Sequence, residues 1–361
     1  MVDVKLANVS KKRGDKLEVD DLSFTVRDKE LFIILGPPGS GKSMVLRLIA
    51  GLDSPDAGEI YIGGELVNAV PPQKRDVAMV FQNLALYPHL NGFENVAFPL
   101  RKRGTAEDEI KAEVSKIAKT LGIEHLLSRL PQTYSGGELQ RVALARAMVR
   151  KARVFLMDQP LSGLDAMIRA NMRVELKSLV KESGLTIVYT THDSIEALSM
   201  ADRIAVMNEG RFQQLGTPEE VYGDPPNTFV ASFVGSPQIN LIDATIQKKK
   251  GRTFLSKGNF LVEIRAGEDM EMDQEVTLGV RPEDLKIDRK SESGLIAEIY
   301  MTEFLGSKSI FTLTLLDGQI VKAVLPASEV AEIGERVCLA FNSSRIKVFD
   351  KKTGVNLKPR S

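Results

Sequence analysis

Eight consecutive residues, Gly36-Pro37-Pro38-Gly39-Ser40-Gly41-Lys42-Ser43, carry the clearest chemistry in the chain. A glycine, four residues, then Gly-Lys-Ser is the spacing of a phosphate-binding loop. Gly36 and Gly41 allow the backbone to turn where a side chain would clash, so successive N–H groups can face a phosphate. Lys42 then reaches the β- and γ-phosphates of a nucleoside triphosphate, and the Ser43 hydroxyl takes a magnesium ion. Met44 opens the apolar face of a helix whose positive end adds to the anion site.

Three further places fit the same chemistry. Asp158 closes the apolar run Val154-Phe155-Leu156-Met157. A carboxylate at the end of a buried parallel strand lies near the phosphate loop and can order a magnesium shell; the alternative is a surface aspartate at a strand end. Ser135-Gly136-Gly137-Glu138 precedes apolar positions Leu139, Val142, Leu144 and Met148. It is either a second anion-binding helix terminus or a simple helix start, for which serine and glycine are common. His192, in Thr191-His192-Asp193, follows the apolar strand Leu185–Tyr189 and precedes a helix. That places it at the carboxyl edge of the sheet, where a γ-phosphate lies; a capping or core histidine is the other reading.

These residues need a sheet to hold them. Glu30–Leu35 is short and apolar enough for one buried strand, and the helix Met44–Ala50 after the loop ends before Gly51. Strands are expected over Val2–Val9, Leu22–Val26 and Ala78–Phe81, with a polar turn at Lys11–Asp15 and a hairpin around Gly63-Gly64. Apolar spacing predicts helices over 106–121, 137–149 and 166–181, the last ending near Gly184. Another follows from about Ser194, a hairpin turns at Glu209-Gly210, and Thr217-Pro218-Glu219-Glu220 has the form of a capping box. After Asp224-Pro225-Pro226-Asn227 the pattern changes. From Ile242 onward short alternating segments, such as Ser309–Leu315 before Asp317-Gly318, indicate a small all-β barrel or sandwich. Lys248-Lys249-Lys250-Gly251 reads as a solvated hairpin tip. The fold class is therefore α/β, a phosphate-loop core over residues 1–235, followed by a smaller β-rich domain over 236–361.

Composition narrows the partners. Lysine plus arginine equals aspartate plus glutamate, 48 each, which gives no support for binding nucleic acid or an acidic membrane surface. One cysteine, Cys338, excludes an internal disulfide and suits a reducing compartment. No apolar run approaches the roughly 20 residues that cross a bilayer, and Met1–Lys5 has no signal-peptide pattern. A cytosolic protein that reaches a membrane only through a partner is expected.

In order along the chain, these motifs resemble those of the nucleotide-binding subunit of an ATP-binding cassette (ABC) transporter, over essentially all of its length. Gly36–Ser43 matches the phosphate loop and Gln82, in Val80-Phe81-Gln82, the glutamine opening the loop that senses the membrane partner. Ser135–Glu138 matches the signature, usually Ser-Gly-Gly-Gln, and Val154–Asp158 the second nucleotide motif. Leu161-Ser162-Gly163-Leu164-Asp165 matches the loop linking two sites, and His192 the switch histidine. Gly235-Ser236-Pro237, Gly279-Val280-Arg281-Pro282-Glu283 and Gly306-Ser307 resemble the OB-like regulatory domain of carbohydrate importers. Pro71–Arg75 and Leu86–Leu90 are similar to the maltose-importer class, and polyamine, ferric-iron and sulfate importers have related extensions.

The resemblance implies a helical subdomain within the core, and ATP and Mg²⁺ as ligands, with Ser43, Gln82 and Asp158 at the metal. It implies a head-to-tail dimer, identical or not, in which Ser135, Gly136, Gly137, Glu138 and Asp165 serve ATP across the interface. It implies transmembrane permease subunits pressed on by residues 82–89, a substrate-binding protein acting indirectly, and a place on the cytoplasmic face of the membrane.

Four residues depart from the pattern, two of them with consequences for the site. Gln159 stands where the family carries the glutamate that polarises the attacking water. An amide orients water but takes no proton at neutral pH, so ATP binding with slow or no hydrolysis is expected. A deliberate change and a naturally degenerate site both account for it. Arg13 stands near the usual adenine-stacking aromatic; it either stacks through its planar guanidinium or is a solvated turn residue. Tyr134 and Glu138 also differ from the commonest signature, leaving its serine and glycines intact.

Overall fold

The computed structural model describes residues 2–258, 260–264, 270–289 and 294–357. The chain divides into two compact units, Met1–Pro218 and Glu219–Ser361.

The first unit begins with an antiparallel ribbon, β1 (Val4–Arg13) and β2 (Lys16–Val26). The strand runs past the expected turn at Lys11–Asp15, which shrinks to Gly14-Asp15. The polar residues stay extended because Asp56 holds them: Lys11 Nζ lies 2.8 Å and the Lys12 N–H nitrogen 2.7 Å from its carboxylate. β3 (Leu31–Leu35) is buried at all five residues and feeds the phosphate loop, then α1 (Lys42–Ala50). β4 (Ala57–Ile62) and β5 (Glu65–Leu66) form the hairpin around Gly63-Gly64, and β6 (Val77–Val80) follows.

Three helices come next: α2 (Gly92–Lys102), α3 (Glu107–Thr120) and α4 (Gly136–Met148). α2 was not anticipated, because Pro99 interrupts its interior, where proline removes a hydrogen bond. Local chemistry compensates. Asn91 caps its start by accepting from the Glu94 N–H at 2.9 Å. Fully buried Asn95 accepts from the Tyr87 N–H and donates to the carbonyls of Tyr87, Leu90 and Asn91. The loop before α2 is thereby fixed to the helix.

β7 (Val154–Asp158), α5 (Ala166–Ser183), β8 (Thr186–Thr191) and α6 (Ser194–Met200) continue the alternation, and β9 (Arg203–Asn208) and β10 (Arg211–Gly216) close it as a hairpin. The ribbon sheet has the order β2-β1-β4-β5 and the main sheet β10-β9-β3-β8-β7-β6. Pairing within β9-β3-β8-β7-β6 is parallel throughout. The carboxyl ends of β3, β8, β7 and β6 are therefore neighbours, although 115 residues separate Ser43 from Asp158. Between the sheets Phe24 stacks on Phe32 at 5.2 Å, and Val45, Leu46, Leu48 and Ile49 of α1 are fully buried in the same core. Each such side chain contributes roughly 1.5–3 kcal/mol, which anchors the helix that carries Lys42 and Ser43.

The second unit opens with α7 (Pro218–Gly223) and α8 (Thr228–Phe233). α8 was also not anticipated; at six residues it is too short to show a period, and it starts on an Asn227 cap to the Val230 N–H at 2.9 Å. The remainder is antiparallel β. One sheet holds β11 (Asn240–Lys249), β12 (Arg252–Lys257), β13 (Phe260–Ile264), β14 (Glu275–Val280) and β20 (Lys347–Asp350). The other holds β15 (Leu285–Asp288), β16 (Leu295–Phe304), β17 (Lys308–Leu315), β18 (Ile320–Pro326) and β19 (Arg336–Phe341). Alternating side chains of both sheets meet in one core around Leu278, Phe311 and Leu339. The hairpin tips fall at Lys250-Gly251 and Asp317-Gly318, as the turn residues indicate. Arg281 joins helices to barrel: its guanidinium donates to the carbonyls of Ala231, Val234 and Tyr222 and lies 4.0 Å over the Tyr222 ring.

Among the described residues, no helix is long and apolar enough to cross a membrane.

Candidate nucleotide site

The phosphate loop leaves β3 through a hydrogen bond from the Gly36 N–H to the Thr191 carbonyl. Glycine is required at two of its positions. A Cβ on Gly36 would sit 2.2 Å from the Met207 carbonyl oxygen, and one on Gly41, at φ +104°, 2.1 Å from that of Glu18. Backbone from β9 and β2 thus presses on the loop from outside, and a side chain at either glycine would push the turn apart. Gly41 is also the residue from which α1 starts, so the helix axis is aimed at the loop.

Lys42 is buried inside this turn. Its ammonium donates to the Gly36 and Pro37 carbonyls at 2.9 and 2.8 Å and lies 3.3 Å from Ser40 Oγ. Burial lowers its pKa to about 8, partly countered by the Asp158 charge. The Ser43 hydroxyl donates to Asp158 Oδ1 at 2.9 Å, and Thr190 Oγ1 donates to the same oxygen at 2.7 Å. Three adjacent strands therefore meet on one carboxylate: β3 through α1, β8 and β7.

Gln159 follows in a left-handed backbone, φ +46°. Its N–H is directed at the carbonyl and hydroxyl of Thr190, and its own carbonyl accepts from Ser162 Oγ at 2.8 Å. These bonds aim the side chain along the carboxyl edge, where Oε1 lies 3.0 Å from His192 Nδ1. Gln159 and His192 are thus direct partners. Pro37, Pro38, Gly39, Ser40 and Met44 lie in or beside the same turn. Gln82 is exposed two residues beyond β6, at the neighbouring strand end.

The other expected contacts do not join this network among the described residues. Ser135 caps α4 in a capping box: its hydroxyl accepts from the Glu138 N–H, and the Glu138 carboxylate accepts from the Ser135 N–H at 2.7 Å. That backbone bond holds the Glu138 carboxyl below the usual range. Gly136 and Gly137 face the start of α5: a Cβ on Gly137 would lie 3.0 Å from Ile168 Cγ2. Tyr134 fixes the turn beneath, donating to the Leu126 and Arg129 carbonyls. Asp165 caps α5, accepting from the Ile168 N–H at 2.9 Å. Arg13, at the end of β1, is 68% exposed and pairs loosely with Glu18 at 3.8 Å.

Sequence reasoning missed four neighbours. Thr190 holds Asp158. Lys16 Nζ reaches the Gly39 carbonyl at 3.3 Å. Buried Glu196 accepts from Tyr189 and Thr191 hydroxyls at 2.9 and 2.7 Å, and burial raises its pKa. Arg169 links two loops. The polar pair Thr190-Thr191 ending an apolar strand was a visible signal; the other three needed the sheet order.

The donor set fits magnesium. A hydroxyl and a carboxylate share one corner beside the phosphate loop, and this cation is held through one or two carboxylates, substrate phosphates and water. No group of three or more His, Cys, Asp or Glu side chains converges among the described residues.

Comparison with known proteins agrees with this geometry. Residues 19–162 match the ABC transporter family, 235–285 the MalK OB fold domain and 278–349 the TOBE domain. The trehalose/maltose import ATP-binding protein MalK of Thermococcus litoralis is 44% identical, over 98% of this chain and 99% of that one. The oligosaccharides import ATP-binding protein MsmX of Bacillus subtilis is 42% identical, over 94% and 95%. Among solved structures, a dimeric ATP-binding cassette in a post-hydrolysis state with ADP and Pi superposes with a TM-score of 0.54 at 32% identity. It covers 60% of this chain and 98% of that one. Near-complete overlap with such relatives and a phosphate-loop edge built as described place this chain in the ABC transporter ATPase family, in the branch whose cassette is followed by MalK-type OB and TOBE domains.

Proposed function

We propose that the chain is the ATP-binding subunit that powers an ABC importer for a carbohydrate or related solute, and that Gln159 makes its hydrolysis slow. The supporting observation is the convergence of Lys42, Ser43, Asp158, Gln159 and His192 at one sheet edge. The relatives named for trehalose/maltose and oligosaccharide import support the solute class.

In this reading the backbone turn of Gly36–Ser43 and the Lys42 ammonium bind the β- and γ-phosphates. Ser43 and Asp158, with Gln82 from the next strand, hold Mg²⁺, which when bound offsets the phosphate charge. Met44 and Arg13 complete the nucleotide contacts. Gln159 and His192 face the place of the attacking water. With glutamate at 159, the carboxylate would take the water's proton while His192 steadied the γ-phosphate. The amide of Gln159 can accept a hydrogen bond from that water but not its proton.

Ser135, Gly136, Gly137, Glu138 and Asp165, which lie outside this network, serve the ATP of a second ABC subunit, identical or not; the dimeric solved relative supports this arrangement. The partners are transmembrane permease subunits, with a substrate-binding protein acting through them. The place is the cytoplasmic face of the membrane, peripheral through the permease. The ATP-binding domain is assigned to 1–235 and the regulatory domain to 236–361, supported by the OB fold match beginning at residue 235.

The test is the ATPase rate of the assembled transporter carrying this chain against one carrying Gln159→Glu. Restoring a general base is expected to raise the rate by about 10²–10⁴. Equal rates would sink the slow-hydrolysis reading. A chain that retains no permease on copurification would remove the importer reading instead.

A further inference from the structure

One side chain ties together two loops that the nucleotide site leaves unexplained. Arg169 is on the first turn of α5. Its NH2 nitrogen donates to the Leu164 carbonyl at 2.8 Å, and its NH1 nitrogen lies 3.3 Å from Asp193 Oδ2. Leu164 belongs to the loop that ends in Asp165. Asp193 directly follows His192.

The receiving end is rigid. Asp193 also caps α6, accepting from the Ile195 N–H at 2.7 Å, and its own N–H donates to Thr191 Oγ1 at 3.0 Å. Thr191 is held in turn by Glu196. The turn 191–196 is therefore a closed set of hydrogen bonds, and the Arg169 side chain joins it to the 161–165 loop. Arginine suits that task. Its planar fork spans two acceptors in fixed geometry, which a lysine ammonium cannot reproduce. Its Nε is buried without a hydrogen-bond partner among the described residues, so the guanidinium is seated for these two contacts.

The same turn of α5 faces a second element. Ile168, adjacent to Arg169, lies under the signature glycine Gly137, and Leu164 lies under Gly136, 3.3 Å from where its Cβ would be. A shift of the 164–169 turn therefore meets the signature on one side and the His192 turn on the other.

We propose that Arg169 is a positioning residue for His192: by bridging the Leu164 carbonyl and the Asp193 carboxylate, it makes the loop before α5 and the His192 turn move as one body. This rests on the nucleotide-site reading above, in which His192 faces the γ-phosphate. Arg169 bonds to Leu164 and Asp193 and is not among the residues assigned to the nucleotide.

The chain has three histidines, His89, His125 and His192, so imidazole cross-peaks in labelled protein can be assigned by single substitutions. Arg169→Gln, measured without nucleotide, is expected to move the His192 cross-peak and leave those of His89 and His125 in place. Arg169→Lys, which keeps the charge but not the fork, is expected to move it by a smaller amount. Asp193→Asn added to Arg169→Gln is expected to move it little further, since the bridge is already broken. An unmoved His192 cross-peak in Arg169→Gln overturns the proposal; should that variant fail to fold, an unmoved cross-peak in Arg169→Lys does so. In the assembled transporter carrying Gln159→Glu, Arg169→Gln is expected to lower kcat about tenfold with KM for ATP unchanged, whereas an unchanged kcat overturns the proposal. A separate arm checks the reading beneath it. MgATP titrated into the unmodified chain should shift the His192 cross-peak. A flat titration overturns the nucleotide-site reading and is distinguishable from a failure of the Arg169 bridge, which is measured without nucleotide.

Discussion

The phosphate-loop edge and the signature turn are both glycine-rich helix starts on the same unit, yet they are satisfied in opposite ways. At the phosphate-loop edge, side chains from distant parts of the chain close on one another: Ser43 on Asp158, Thr190 on Asp158, Gln159 on His192. At the signature turn, Ser135 and Glu138 satisfy each other within four residues. The first is preorganised by the fold for charge and chemistry. The second keeps its backbone in order by itself and leaves Ser135 and Gly136 exposed, as suits a surface completed by another molecule. In the proposed reading one helix start is a centre and the other a contact.

That contrast can be broken experimentally, beginning where the effect should be greatest. Lys42→Ala removes the buried cation of the centre and should weaken MgATP binding to the isolated chain by about 3 kcal/mol, roughly a hundredfold in Kd, read by fluorescent-nucleotide titration. An unchanged Kd would mean that the loop's N–H groups alone carry the phosphates. Next in size is the pH response. The folded-state pKa of Lys42 is lowered to about 8 from 10.5. Phosphate binding needs its charged form, so affinity should fall as pH rises above about 8, by about tenfold between pH 7 and pH 9. Between about pH 8 and pH 10.5 the unfolded chain holds more of this proton than the folded one, so the group's contribution to stability should rise with pH. Lys42→Met should abolish the affinity slope measured by the same titration. The smallest effect belongs to the contact. Ser135→Ala should cost about 1 kcal/mol of stability through the lost cap, seen in urea unfolding, while leaving the nucleotide affinity of the isolated chain unchanged. A drop in that affinity would erase the distinction between centre and contact.

Sequence and structure agree best where chemistry is local. The phosphate loop is contiguous, and the steric need for Gly36 and Gly41 follows from the motif. Strand alternation in the β-rich unit is local too, so the tips at Lys250-Gly251 and Asp317-Gly318 were legible. α2 was not, because Pro99 and Gly92 argue against a helix in isolation and the compensation comes from Asn91 and Asn95, polar residues that look like loop. The Gln159–His192 partnership spans 33 residues and follows only once β8 is known to lie between β3 and β7. Arg169 is harder still. On a helix start it reads as an ordinary surface arginine, and only the neighbouring α6 cap gives its fork a second target besides the Leu164 carbonyl. Likewise the Gly279–Glu283 stretch resembled a regulatory domain as a string, but the role of Arg281 as a three-carbonyl clasp depends on where α8 ends.

The left-handed backbone at residue 159 bears on heredity. Its main chain is held by Thr190 and Ser162, contacts that take no account of what ends the side chain. Glutamine and glutamate are near-isosteres, and their codons differ by one base at the first position. If the slow-hydrolysis reading holds, a lineage could pass between a subunit that turns ATP over and one that retains it by a single nucleotide change, with no repacking of the neighbouring strands.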